Sequence, residues 1–429
     1  MPGRMEQRRD DLADKIYDLA VIGGGASGIM AAISAAREGA DVIIIDHADT
    51  LGKKILATGN GRCNFTNKDQ DPRNYHSSSP GFVEGALRRF GRDELIGFFE
   101  GIGLFVKEKG GYYYPFSESA SDVRDVLLLE AERLAVETVL SVKVLSVKKR
   151  EDIFFLSTEP PGGKINIGDE DAICARNIVI ATGGRAAKKL GSDGLGYRMA
   201  KSLGHSVTPL FPALVPLEAD GDFAAVSGVR TDARLTLFID GAEADTDMGQ
   251  LQMTDYGISG IPVFQISAAA ARALYEGRDV RVRLDFMPLI SVEKLILNIT
   301  RRLEDNLSMR ISDALAGMLQ RKLINFLLGS LGISKKTKCM KLSDNTAGDI
   351  ARRMKEYEVT ITNTLSFDRS QTTAGGIPLD EVDEESFESL KCPGLYLCGE
   401  ILDVDGRCGG YNLQWAFTSG YLAGKGSRG

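Results

Sequence analysis

Residues 17–46, YDLAVIGGGASGIMAAISAAREGADVIIID, leave the chain few ways to fold. An apolar run meets a glycine turn, continues through small residues spaced for a helix, and returns to a second apolar run that ends in an acid. That order predicts a βαβ unit shaped for a dinucleotide. Gly23 would permit the tight turn, Gly25 would admit a pyrophosphate to the positive end of the helix, and Gly28 would let the helix pack on the sheet. Asp46 stands 18 residues beyond Gly28, where an acid would accept the adenosine ribose hydroxyls and repel a 2'-phosphate. The motif alone does not choose between NAD and FAD.

Two further segments bear on that choice. NIVIATGG (177–184) reads as a strand ending in Thr-Gly-Gly. It follows a predicted β-meander made of TVLSVKVLSVKK, IFFLST, the turn EPPGGK and INIG, an arrangement that favours a flavoprotein. In GLYLCGEILDVDGRCGGYNLQWAFTSGYLAG (394–424), a buried strand runs into Gly399-Glu400, then a glycine-rich loop, then a helix. Ala416, Ser419, Gly420 and Gly424 would allow that helix to pack closely, and Glu400 could bind a polyol hydroxyl. The helix start at Tyr411-Asn412-Leu413 would offer N–H donors to a flavin pyrimidine edge that becomes negative on reduction.

Composition excludes several classes. With 429 residues, 43% hydrophobic and 26% charged, the chain is ordinary globular protein of two or three domains. A net charge of -7 argues against a nucleic-acid partner, which needs a basic field. Six cysteines without a C-x-x-C pair suggest a reducing cytoplasm, and three scattered histidines suggest no metal site. The N-terminus carries charge with no apolar run behind it, and no stretch of about 18 apolar residues occurs, so a soluble, unprocessed protein off the membrane is expected.

Taken together, the chain resembles the YhiN/BaiN-like FAD-dependent oxidoreductases, which include aminoacetone-oxidase-like members. The matching stretches are VIGGGASG, LGKKILATGNGRCNFTN (51–67), YYPFSESASDV (113–123), IVIATGG, FPALVPL (211–217), LQMTDYGISGIPV (251–263), TTAGGIPLDEVD (372–383) and 394–424. The resemblance implies an α/β fold of the glutathione-reductase type, with FAD in the Rossmann domain. It places Gly23, Gly25, Ala26, Ser27 and Gly28 at the pyrophosphate and Asp46 at the ribose. Lys53, Lys54, Thr58, Gly59, Asn60, Gly61, Arg62, Cys63 and Asn64 would line the flavin side, and Val144 would meet the adenine by backbone. Thr182, Gly183 and Gly184 would lie nearby, with Gly399-Glu400 at the ribityl chain and Gly410, Tyr411, Asn412 and Leu413 at the pyrimidine ring. One departure is the stretch RAAKKLGSDGLGY after IVIATGG, whose Arg185, Lys188 and Lys189 form either a solvated basic loop or a rim that favours an anion.

On this reading the FAD domain is discontinuous, 1–195 plus 344–429. The insertion at 196–343 is β-barrel-like, strand-rich over 205–285 (HSVTPL, RLTLFI, QLQMT, DVRVRLDF), and helical over 291–330. One dinucleotide fingerprint is complete, so NAD(P)H would have to dock transiently as electron donor. The favoured activity is hydride transfer from NAD(P)H through the flavin to an activated C=C bond of a small apolar carbonyl compound, for example a steroid-like one. The alternatives are an amine oxidase using oxygen and a flavin-dependent RNA-modifying or regulatory protein. Tyr256, Arg62, Cys63 and Arg407 are the catalytic candidates. Tyr256→Phe should lower turnover and leave FAD content intact; unchanged turnover removes Tyr256 from consideration.

Overall fold

In the computed structural model, which describes residues 15–159 and 172–428, the strand Ile16–Ile22, the helix Ala26–Arg37 and the strand Val42–Ile45 form in the predicted order. Ile16–Ile22 pairs in parallel with Val42–Ile45 on one side and with Ile173–Ile180 on the other. All four residues of Val42–Ile45 are buried, as expected of a strand covered on both faces. Two further parallel strands, Glu137–Val139 and Leu395–Leu397, join this sheet at Val42–Ile45 and Ile173–Ile180. The antiparallel pair Lys143–Arg150 and Ile153–Glu159 completes its seven strands.

The stretch TVLSVKVLSVKK is therefore two strands rather than one. Ser141 takes a left-handed φ of 58° and breaks the run, so that Glu137–Val139 stays in the parallel sheet while Lys143–Arg150 turns into the meander. The turn after Glu159 and INIG lie outside the described residues.

The C-terminal helix Tyr411–Gly426 packs on Ala26–Arg37 through its glycines, as the small-residue spacing suggested. A Cβ at Gly420 would lie 2.3 Å from the Ser27 carbonyl oxygen, and one at Gly424 would lie 2.1 Å from that of Ala31. Either contact is sub-van der Waals against rigid backbone, so these helices can approach this closely only with glycine at both positions.

Contacts divide the chain into two units: Met1–Leu210 with Thr372–Gly429, and Phe211–Gln371. The second unit is a closed six-stranded barrel of Leu217–Ala219, Gly257–Gly260, Ala242–Met253, Arg230–Ile239, Val280–Asp285 and Tyr357–Thr364 in that order. Its core joins Leu235, Leu237, Val282 and Leu284 of the barrel to Leu295 and Ile299 of the helix Val292–Glu304 and to Leu323 and Leu327 of Arg321–Ser330. The expected borders at 196 and 343 thus differ from those observed. The helix Leu195–Ser202 belongs to the first unit, while Thr346–Lys355 and the barrel-closing strand Tyr357–Thr364 belong to the second. Strand partners distant in sequence leave no trace in local periodicity, so nothing in the sequence ties Tyr357–Thr364 to the barrel.

HSVTPL is likewise not a strand but an irregular segment of the first unit. The His205 ring is buried, with Nδ1 2.9 Å from Glu381 Oε2 and Nε2 2.7 Å from Ser389 Oγ. Burial outweighs the attraction of the Glu381 carboxylate and holds the imidazole below its ordinary 6.5. The unfolded chain then binds the proton more readily than the folded one. This contribution to stability is complete above pH ~6.5 and is lost as pH falls through the folded value. The urea midpoint should fall between about pH 7.5 and about pH 5.5, and fall less in His205→Gln; equal slopes would show that His205 plays no part.

Among the described residues, no helix is long and apolar enough to cross a membrane.

Candidate functional site

The dinucleotide turn is built as a close contact between backbones. Gly23 has φ 103°, and a Cβ there would sit 2.6 Å from the Ala181 carbonyl oxygen, beside the end of the strand Ile173–Ile180. A Cβ at Gly28 would lie 1.9 Å from the Gly23 carbonyl oxygen, so the first turn of the helix rests directly on the glycine turn. At Gly25 the result is the opposite: a Cβ would meet nothing within 4 Å. Gly25 caps a helix that has no side-chain cap, so Ala26, Ser27 and Gly28 present an uncapped positive helix end to open space.

Asp46 closes the turn from below. Its Oδ2 accepts the Gly24 N–H at 2.6 Å and its Oδ1 accepts the Ala48 N–H at 2.7 Å. The sequence suggests only a ribose for Asp46; the bracing depends on the folded positions of Gly24 and Ala48.

The C-terminal segment lies beside the same turn. A Cβ at Gly399 would meet Ser27 Oγ at 2.5 Å. Glu400 Oε2 is 2.7 Å from Lys54 Nζ, and its Oε1 accepts the Thr373 N–H at 3.0 Å. The two lysines of LGKK therefore diverge, because Lys53 pairs with the exposed Asp49 at 3.4 Å. Thr373 was not singled out from sequence. Its Oγ1 accepts the N–H groups of Arg185 and Ala186 at 2.8 and 3.1 Å and so holds the loop after Thr182-Gly183-Gly184. Lys188 and Lys189 beyond it are exposed.

The segment 58–64 forms a loop with a run of left-handed residues: Gly59, Asn60, Gly61 and Cys63 all have φ between 53° and 83°. Thr58 anchors it by donating to the Ile55 carbonyl at 2.6 Å and accepting, through its own carbonyl, the Cys63 N–H at 3.1 Å. Cys63 is fully buried, and burial pushes its thiol up to about 12. It is protonated at neutral pH, which argues against a thiolate nucleophile. Arg62 is exposed, with its guanidinium 5.9 Å from the Tyr114 ring.

Loop and C-terminal helix meet at Gly410, where a Cβ would be 2.8 Å from both Asn64 Oδ1 and the Thr66 carbonyl oxygen. Asn67 Nδ2 donates to the Gly409 carbonyl at 2.9 Å, and Thr66 Oγ1 donates to Gln414 at 2.5 Å. The Asn412 side chain braces its own loop through the N–H and carbonyl of Gly406 at 2.9 and 2.7 Å. Gly410 supplies no side-chain cap, so the backbone donors of Tyr411, Asn412 and Leu413 begin a second uncapped helix. Arg407 is half-buried, and its N–H donates to the Asn74 carbonyl at 2.9 Å. Val144 is buried in the meander beside a register shift between Val144 and Ser146. Tyr256 belongs to the barrel unit, where its carbonyl accepts the Ala219 N–H at 2.9 Å.

Two buried side-chain oxygens here, Thr182 Oγ1 and Asn64 Oδ1, have no partner in the protein. Buried polar atoms are rarely left so, and these two, with the uncapped helix ends at Gly25, which faces open space, and at Gly410, suit a long polar ligand with a diphosphate and a heterocycle. The residues present fit FAD.

Fold and site together define an FAD-dependent oxidoreductase of the Rossmann class. The chain belongs to the family described as HI0933-like protein Rossmann domain, whose model matches residues 17–426. It is 42% identical over 410 residues to a 3-dehydro-bile acid delta(4,6)-reductase of Clostridium scindens, covering 95% of this chain and 98% of that one. It is 31% identical to a ribosomal RNA dihydrouridine synthase of Escherichia coli, covering 94% and 96%. The fold is also that of a 3-ketosteroid-delta4-(5alpha)-dehydrogenase from Rhodococcus jostii RHA1, at TM-score 0.50 and 16% identity with 97% of each chain covered.

Proposed function

We propose that this FAD enzyme is a reductase that takes hydride from NAD(P)H and delivers it to a carbon–carbon double bond conjugated with the carbonyl of a small apolar, steroid-like compound. The observation that carries this reading is the 42% identity to the bile acid reductase along nearly the whole of both chains.

In this reading Gly23, Gly25, Ala26, Ser27 and Gly28 hold the FAD pyrophosphate and Asp46 holds the adenosine ribose, with Val144 at the adenine. Glu400, steadied by Lys54 and Thr373, takes the ribityl hydroxyls. The N–H groups of Tyr411, Asn412 and Leu413 favour negative charge at the pyrimidine edge, which the helix dipole reinforces. Bound FAD supplies the hydride-accepting and hydride-donating ring. The chain contributes binding, orientation and this charge stabilisation.

The 31% identity to the ribosomal RNA dihydrouridine synthase supports a second reading, in which the double bond reduced is that of a uridine ring. The net charge of -7 works against it, since RNA binding draws on released phosphate counterions.

The test is an anaerobic visible spectrum of the purified protein, taken before and after NADPH and then NADH, followed by a 4-en-3-one steroid or a uridine-containing RNA. Bleaching by either coenzyme, with colour restored by the steroid, is the expected result. Restoration by the RNA alone would favour the second reading. A flavin that stays oxidised would overturn the NAD(P)H route and turn attention to amines under oxygen.

A further inference from the structure

The hairpin of Val106–Lys109 and Tyr112–Pro115 presents two different faces. Val106 pairs with the buried Pro115 and packs on the core, as does Tyr113 opposite Glu108. The alternate residues face the other way, in the cross-strand pairs Lys107–Tyr114 and Lys109–Tyr112. The pattern extends one step further, where the Phe116 N–H donates to the Phe105 carbonyl at 2.7 Å.

Phe105 is 80% exposed and Phe116 65% exposed, far more than side chains of that size normally show to water. Cations are interleaved with them. Lys107 Nζ lies 5.2 Å from the Phe116 ring, and Arg62 reaches the Tyr114 ring from the loop 58–64. Arg62, Lys107 and Lys109 share a single carboxylate, Glu118, at 4.0, 2.9 and 3.4 Å. Three cations on one carboxylate leave a local positive excess on a chain whose net charge is -7.

This face adjoins the proposed flavin cradle. Thr66–Asn67, next to the loop 58–64, pairs with Tyr112–Tyr113, and the Tyr112 ring lies 3.1 Å from where a Cβ of Gly409 would stand. Exposed rings beside cations suit a ligand that is both planar and anionic. An apolar carbonyl substrate would make no use of the cations. Strands of four residues span about 13 Å, room for one base and a diphosphate but little to track a polynucleotide.

The geometry points to this hairpin face as the dock for the adenosine diphosphate half of NAD(P)H, with the base stacked on Phe105 and Phe116 and the phosphates met by Lys107 and Lys109. The inference rests on the reading that NAD(P)H is the electron donor. It explains how a chain with one dinucleotide fold can use a second dinucleotide: the donor binds a surface beside the flavin rather than a domain of its own.

Anaerobic stopped-flow reduction compares the holoenzyme with Phe105→Ala/Phe116→Ala and Lys107→Ala/Lys109→Ala. Phe105 and Phe116 are exposed, so the fold should survive, and FAD content checks that it does. The expected result is a rise of at least about tenfold in the apparent dissociation constant for NAD(P)H. The limiting rate should hold, as should reduction by 1-benzyl-1,4-dihydronicotinamide, which lacks the adenosine diphosphate. An unchanged constant in both variants, with the wild type still bleaching, overturns the dock while the donor reading stands. If the wild type does not bleach with either coenzyme, the donor reading fails, and calorimetry with ADP decides the hairpin by itself. ADP bound by the wild type and lost in the variants supports the dock; no binding overturns it. A single-stranded uridine oligomer that loses binding in the variants, while ADP does not, assigns the face to RNA and also overturns the proposal.

Discussion

Gly28→Ala should yield colourless protein that unfolds at lower temperature than the wild type. The added methyl would stand 1.9 Å from the Gly23 carbonyl oxygen and 3.2 Å from the Ala181 Cβ. The nearer atom is backbone within a turn already held by Asp46, so no rotamer change relieves the contact. The helix must lift from the turn, at a cost toward the upper end of the ~1–3 kcal/mol typical of overpacking. A displacement of that size moves the N–H groups away from the pyrophosphate, and FAD affinity should fall by about a hundredfold or more, roughly 2.7 kcal/mol. Gly25→Ala is the informative partner. Its methyl meets no protein atom within 4 Å and its φ is -79°, so the fold should be indifferent to it. FAD should nevertheless bind more weakly, because the methyl fills the space reserved for the ligand. Flavin absorbance per protein and thermal melts separate the two cases. Full FAD affinity in Gly25→Ala would mean that the pyrophosphate does not lie over this helix end.

Glu400→Ala should also lose its colour, for a different reason. Removing the carboxylate strips Lys54 Nζ and the Thr373 N–H of their partner together, in a setting where Glu400 is 18% exposed. The buried Thr373 N–H left without an acceptor costs ~1–3 kcal/mol, the partly exposed Lys54 loses its ion pair, and the ribityl hydroxyls lose their acceptor as well. Glu400→Gln keeps an acceptor for Thr373 but gives up the ion pair, so its FAD affinity should fall between wild type and Ala. An Ala variant that retains its FAD would show that the ribityl chain lies elsewhere.

The elements legible in the sequence share one property: their physics is local. The βαβ unit is written in residues 17–46, because an apolar run, a glycine turn and a small-residue helix constrain one another within a few residues. That the C-terminal helix has a small-residue face was legible in Gly420 and Gly424, but its partner, the helix Ala26–Arg37, was not. Errors arose where a residue answers to a distant partner. Tyr357–Thr364 looked like part of the FAD domain, yet it closes a barrel between Val280–Asp285 and Leu217–Ala219. HSVTPL looked like a strand, yet His205 is drawn into a buried contact with Glu381 and Ser389, far along the chain.

The candidate site divides in the same way. The glycine turn at Gly23–Gly28, the Glu400 strand end and the helix start at Tyr411 followed from motifs whose residue types dinucleotide binding demands. That Lys54 rather than Lys53 joins Glu400 depended on tertiary structure, as did the bracing of the glycine turn by Asp46 and the burial of Cys63. A motif specifies which groups are present and how far apart along the chain. Which of them share a space, and which keep their charge there, is set by packing between segments hundreds of residues apart, and so became visible only in the folded protein.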